Sequence, residues 1–422
     1  MLTRVTFFLL LLISPTLASS DKLVVHEWGT FTSLQDENGR SIGGLNSNDE
    51  PLPPFVHRLP NVGIADDVFI KSPRARLHPD VTMRLETPVV YFYPPDAKPM
   101  TLDVSATFKG GLLSEYYPKA IATSDTPPRR LTAKTVGTLK WKSALIGEDA
   151  KIPATTDRIW LAPRAVQATP VTVNGQGEKY LFYRGVGHVE APIKVVRSSA
   201  GIQLYDNRPA DMWDAPMTVR ATWLAEFRPD GACAFRVIDA QPALPEANIV
   251  ARDASFADAD FAKENTARLR AAMKQALIAD GLFDDEADAM LETWKNSYFK
   301  TGGQRLFFVV PRQWTDRVLP LTISQPCELT RVMIGRIELV SPKQRELLTR
   351  MGDEKQRITA VTADRYHQQL GRFGDALLLD ELRRHPNKLL SIFANVHGII
   401  QVALPQPVHA TTRPLVLQRG VN

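Results

Sequence analysis

From Lys22 to about Ala240 the sequence is a succession of short apolar and β-branched runs, each closed by proline or glycine before a helix can develop. The runs are Leu23 to Thr32, Thr82 to Tyr93, Leu102 to Phe108, Val171 to Val173, Tyr180 to Tyr183, Ile193 to Val196 and Thr218 to Phe227. Strands at this spacing, with no helices between them, predict a sandwich or barrel. Asn174-Gly175, between Val171-Thr172-Val173 and Tyr180-Leu181-Phe182-Tyr183, has the chemistry of a hairpin turn, with allowance for a loop longer than two residues. Residues 51–79 carry prolines at 51, 53, 54, 60, 73 and 79 and read as an extended connection.

The period changes after residue 240. Leu269, Met273, Ala276 and Leu277 fall on one helical face up to a stop at Gly281, and Phe283, Ala287, Met290, Leu291, Trp294 and Tyr298 form the stripe of a second helix ended by Gly302-Gly303. Strands are expected again at Leu306 to Val310, Leu319 to Ile323 and Val332 to Val340. Ser341-Pro342-Lys343-Gln344 then has the residues of a capped helix start, and a longer helix from Ala363 is expected to run to Pro386. The fold class this implies is α+β. It comprises a β-rich, sandwich-like body (residues 21–240), an inserted helical hairpin (241–303), returning strands (304–340) and a C-terminal helical segment (341–422).

Residues 1–20 have the form of a cleavable signal peptide: Arg4, an apolar core from Val5 to Ile13, and the small-residue stretch Thr16-Leu17-Ala18-Ser19-Ser20. The core is shorter than the roughly 20 residues needed to cross a bilayer, and no later segment is apolar enough. The expectation is a soluble chain in the periplasm or secreted, with no transmembrane segment after cleavage. Its formal net charge of +5 is too mild to argue for nucleic acid, and loses only Arg4 with the leader. The basic stretch Arg129, Arg130, Lys134, Lys140 and Lys142 is either a solvated face or a contact for anionic polymer. Cys233 and Cys327, the two cysteines of the chain, are either one disulfide or two separate thiols.

The densest chemistry lies in Val24-Val25-His26-Glu27-Trp28-Gly29-Thr30-Phe31-Thr32-Ser33. On a strand, Val25, Glu27, Gly29 and Phe31 share one face and His26, Trp28, Thr30 and Thr32 the other, so whichever face is buried takes a titratable group with it. A zincin reading fails, because the second histidine is missing and a helix is unlikely among so many β-formers. In Met83-Arg84-Leu85-Glu86-Thr87-Pro88-Val89-Val90-Tyr91-Phe92-Tyr93, alternation places Arg84 with Glu86 on one face and Tyr91 with Tyr93 on the other, and Pro88 marks an edge or a bulge. Arg84 is expected to pair with Glu86 or with Glu27. Tyr91 and Tyr93, with Trp28, Tyr116 and Tyr117, are either plain core or a stacking platform for a sugar ring.

These two segments, with Phe182-Tyr183-Arg184-Gly185-Val186-Gly187 and the helix from Asp285 to Phe299, resemble a group of uncharacterised exported bacterial proteins. The resemblance spans most of the chain after the leader. It implies a shared fold and export, and supplies no activity, ligand or catalytic residue.

Two functional expectations follow. The first is a cell-envelope binding or structural protein for polysaccharide or peptide, with His26, Trp28, Arg84, Tyr91 and Tyr93 at its ligand face. The second is a hydrolase holding a divalent metal on His26, His57 and His78, with Glu27 or Glu86 as general base, although these histidines match no recognised ligand spacing. Other signatures are incomplete. The Gly-x-Gly pairs at 175–177 and 185–187 lack a third glycine, no G-x-S-x-G is present, the acidic clusters lack a calcium-loop pattern, and Asp364 with His367 reads as a surface pair.

Overall fold

The computed structural model describes residues 22–45, 52–59, 76–96, 98–125, 131–147, 149–198, 201–212, 217–239, 242–243, 249–251, 255–353, 359–396 and 400–401. The expected leader, Arg129 with Arg130, and much of the proline-rich connection lie outside them.

The α+β expectation holds: one sixteen-stranded sheet dominates, with helices against it. Its centre is the longest apolar run of the N-terminal region, strand β1 (Leu23–Gln35), every residue of which but Val24 is buried. On one side β1 pairs antiparallel with β2 (Met83–Leu85) and β3 (Val89–Tyr93), which in turn pair with β4 (Leu181–Gly187). On its other side lie β5 (Gly303–Val309) and β6 (Cys327–Leu339). β6 runs parallel to β1 from Leu23↔Cys327 to Gln35↔Leu339, and β5 is antiparallel to β6. A strand flanked on both edges and packed on both faces must be nearly all buried, which explains its composition.

The sheet curls, and its inner face packs Val25, Phe31, Leu306, Phe308 and Met333 against strands Met100–Lys109 and Val136–Ile146. Gly335, the β6 partner of Phe31, leaves the space that the Phe308 ring fills; a Cβ there would stand 2.3 Å from the ring. The outer face carries Trp28, Val89, Tyr91 and Phe307 against helices α1 (Arg158–Arg164), α2 (Asn265–Ala279), α3 (Asp284–Thr293) and α4 (Lys295–Phe299). Helix α5 (Arg312–Val318) joins β5 towards β6. A third cluster is built by α6 (Pro342–Met351), α7 (Ala360–Gln369), α8 (Gly374–Arg384) and α9 (Lys388–Val396), the C-terminal layer. No helix among the described residues is long and apolar enough to cross a membrane.

Several local expectations need correction. The helix expected to run unbroken from Ala363 is two helices, because Gly371 takes φ +82° and turns the chain between α7 and α8. Asn174-Gly175 does form a hairpin turn, a two-residue loop with both residues at positive φ, but its second strand is Gln176–Glu178 and not Tyr180 to Tyr183. Of the two readings of Cys233 and Cys327, the separate thiols hold: both are free.

Pro88 does mark a bulge. Four steps from Leu85 to Val89 oppose three from Phe31 to Trp28, so one extra residue sits between β2 and β3. An inserted residue resets the side-chain alternation. Arg84 therefore shares its face with Tyr91 and Tyr93, opposite Thr32, and not the face that strict alternation assigned. Thr87 absorbs the distortion at φ +120°, with its hydroxyl buried and without a hydrogen bond.

Thr87→Gly relieves both costs: backbone strain of about 1–3 kcal/mol and burial of an unmet hydroxyl of about 1–3 kcal/mol, against roughly 0.5–1 kcal/mol of glycine entropy. We expect urea denaturation to show a variant stabilised by about 1 kcal/mol or more; a loss of that size would show that Thr87 is favourably held.

Candidate functional site

The outer face of β1 is tied to the helices by polar contacts. His26 Nδ1 lies 2.7 Å from Glu286 Oε2, the same oxygen accepts from the Phe283 N–H at 2.8 Å to cap α3, and the Tyr93 hydroxyl donates to Glu286 Oε1 at 2.8 Å. Burial, reinforced by Glu286, pushes the Tyr93 phenol far above its ordinary range, so it remains a donor. The acidic start of α3, legible in the sequence, thus fixes His26. Further along, the Tyr298 hydroxyl donates to Thr30, which itself donates to the Ile334 carbonyl at 2.7 Å.

Glu86 follows β2 on this face and is buried. It accepts from the Thr32 hydroxyl at 2.6 Å and from Arg372 Nη2 at 3.1 Å, an arginine that the α7–α8 turn delivers. Burial by itself would raise its pKa, but Arg372, Arg84 and Arg336 outweigh it and hold the carboxyl at about 2. Arg84 thus acts on Glu86, as one of the two expected pairings had it.

The inner face places Glu27 where no water reaches. It accepts from the Tyr183 hydroxyl at 2.5 Å and from Arg331 Nε at 2.6 Å, and Arg331 Nη1 donates to Asp316 of α5 at 2.8 Å. Arg331 Nη2 is buried and has no hydrogen-bond partner. Arg331 also lines a pocket of about 410 Å³ at the end of β5 and the start of β6. Arg208, Arg220, Arg312 and Asp280 are on the same wall, with Val309 and Leu329 as apolar lining. Arg208 is matched by Asp206 at 2.7 Å, Arg220 by Asp280 at 2.6 Å and Arg312 by Asp316 at 2.8 Å. Among the described residues of this lining, Arg331 Nη2 is the buried side-chain donor without a hydrogen-bond partner.

The expected ligand face is therefore not a surface. Trp28 and Tyr91 are fully buried in the outer core, Tyr91 donating to the Pro163 carbonyl at 2.9 Å, and Tyr116 and Tyr117 are buried as well. His26 and Arg84 are also buried, and Tyr93 is committed to Glu286. The stacking platform is core, because α1, α3 and α4 need an apolar surface to pack on.

The metal-site expectation is corrected too. His26 is held by Glu286, His57 Nε2 by Gln176 at 2.8 Å beside the rings of Tyr116 and Tyr117, and His78 Nδ1 by the Asp80 N–H at 3.2 Å. Among the described residues no three ligand side chains converge to hold an ion. Glu27 and Glu86, proposed as general bases, are each locked to an arginine and a hydroxyl. The residues that sequence reasoning missed are Arg331, Arg336 and Arg372. No family model matches the chain, and no curated protein is detectably similar to it.

The lowered pKa of Glu86 has a definite sign. The carboxyl ionises more readily folded than unfolded, so its contribution is full above about pH 4.5 and is lost as pH falls towards about 2. We expect the wild-type protein to lose on the order of 3 kcal/mol from this group across that window. Glu86→Gln should flatten the acid limb of a denaturation series; an unchanged slope would show that Glu86 carries no such linkage.

Proposed function

We propose that the protein is an exported binding protein of the cell envelope that takes a small organic carboxylate, such as the C-terminal residue of a peptide, in the Arg331 pocket. Supporting export is the sequence of residues 1–20, with its basic start, apolar core and small-residue end. The observation that carries the ligand reading is the gathering of four arginines, Arg208, Arg220, Arg312 and Arg331, in the lining of one pocket. Hydrogen bonds from an ionised donor to a carboxylate are among the strong ones, and Arg220 and Arg312 keep exposed side-chain surface from which to make them.

The pocket volume lies within the range that small ligands occupy, and its mixed lining suits a molecule with one charged end and an apolar body. Arg331 is pre-organised: Glu27 and Asp316 fix two edges of its guanidinium, so little rotamer entropy is lost on binding. Specificity for a charged terminus follows from arginine's geometry, whereas a lysine would offer only a point charge.

Isothermal titration with N-acetyl-leucine, and with N-acetyl-leucinamide as the uncharged control, tests this. Binding of the acid and not of the amide is the expected result. Arg312→Glu, at the half-exposed edge of the pocket and on the Asp316 carboxylate that also holds Arg331, should weaken the acid about tenfold, a change of roughly 1.4 kcal/mol. Equal behaviour of acid and amide, or an affinity indifferent to Arg312→Glu, would overturn the assignment.

A further inference from the structure

A second pocket, of about 750 Å³, lies in the outer helical layer, where the start of α2, the end of α4 and the turn between strands Ala221–Phe227 and Cys233–Asp239 meet. Its lining carries four cations, Lys263, Arg270, Lys295 and Lys300, and one carboxylate, Asp230. Arg270 and Lys295 are held in place. Arg270 donates to the Leu291 carbonyl at 3.1 Å and to Glu292 Oε2 at 3.3 Å, with its guanidinium 5.5 Å from the Phe299 ring, and Lys295 Nζ stands 3.3 Å from Glu292 Oε1. Arg158 draws on the same carboxylate, so three cations share it. Lys263 and Lys300 are exposed and form no ion pair among the described residues. Asp230 Oδ1 is turned to its own backbone, accepting from the Ala232 N–H at 2.9 Å. Gly231 at the tip of that turn faces open space: a Cβ there would meet nothing within 4 Å.

The balance stays positive when the lining groups, their ion-pair partners and their charged neighbours on α2 are all counted. The four lining cations and Arg158 meet Asp230 and Glu292, and the exposed Glu264 and Arg268 around the first turn of α2 offset each other, which leaves an excess of three positive charges. A cleft of one sign concentrates its field and draws in counter-charge. We infer that this pocket binds a small organic phosphate, a phosphomonoester. Lysine ammoniums are point charges that suit a compact tetrahedral group, whereas a planar carboxylate is better answered by an arginine fork. A phosphomonoester brings about −1.5 to −2 charges at pH 7 and three acceptor oxygens, a match for the excess. Pro229, Ala267 and the aliphatic stems of the lysines supply an apolar wall for its organic body, and the volume is that of a small-molecule site. This pocket shares no lining residue with that of Arg331 and does not rest on it.

The test is isothermal titration of the full chain with phenyl phosphate, with phenyl sulfate as the singly charged control. Expected are binding of the phosphate and, because half the charge is missing, about tenfold weaker binding of the sulfate. Lys263→Glu combined with Lys300→Glu should weaken the phosphate by about tenfold or more, and both positions are exposed, so the exchange leaves the packing intact. No binding of phenyl phosphate, equal affinity for the sulfate, or an affinity indifferent to the two lysine changes would overturn the inference. Binding lost in Arg312→Glu and kept in the lysine variant would place the phosphate in the Arg331 pocket and overturn it as well. So would capture of dextran sulfate without phenyl phosphate, which would make this face a contact for polyanions.

Discussion

The pair between Glu27 and Arg331 is the contact on which the rest of the molecule depends. Glu27 is fully buried and Arg331 nearly so, reaching only the pocket wall, and breaking such a pair leaves a bare charge at a cost of about 3–5 kcal/mol. The pair joins adjacent positions of β1 and β6, where Glu27 stands opposite Arg331 in register. A slip of one residue would carry every buried charge of these strands to the wrong face. The ion pair thus fixes register as well as charge, and it positions Arg331 at the pocket and Arg336, five residues on, on the outer face.

The two helical layers are consequences of that central sheet. Trp28, Tyr91 and Phe307 give α1, α3 and α4 an apolar surface, and His26 with Tyr93 gives the capping carboxylate of α3 a fixed address. The C-terminal layer is anchored differently. Its turn at Gly371 brings Arg372 down to Glu86, so that a break in a helix, and not its length, makes the contact.

Much of this was legible in the sequence, and the failures have physical reasons. The strand at Leu23, the helical hairpin and the capped helix at Ser341 all follow from period and capping chemistry, and the bulge at Pro88 from a missing donor. What local reasoning cannot supply is the partner of a buried charge. Glu27 and Glu86 are recognisable as groups in need of one, but Arg331 and Arg372 answer them from some 300 positions away. A signal was present: β6 reads as an apolar run interrupted by Arg331, Arg336 and Glu338, and a charge inside a strand buried on both faces has to be matched. Strand Gly111–Tyr117 escaped notice because Ser114 and Glu115 interrupt its apolar run, and Val136–Ile146 because Lys140 and Lys142 punctuate its apolar positions. The aromatic segments misled in the other direction, since rings suited to a ligand are equally suited to a helix.

The parallel pairing of the first strand with one that closes more than three hundred residues later also governs the order of events in folding. Until residue 339 has joined, β1 has a raw edge and Glu27 has no counter-ion, so the early two-thirds of the chain cannot settle into its final sheet. Contacts of such sequence separation form slowly, because a long loop must close before they bring any gain. The chain therefore stays open along one side of β1 through most of its synthesis, and the sheet locks only when its far end has been made.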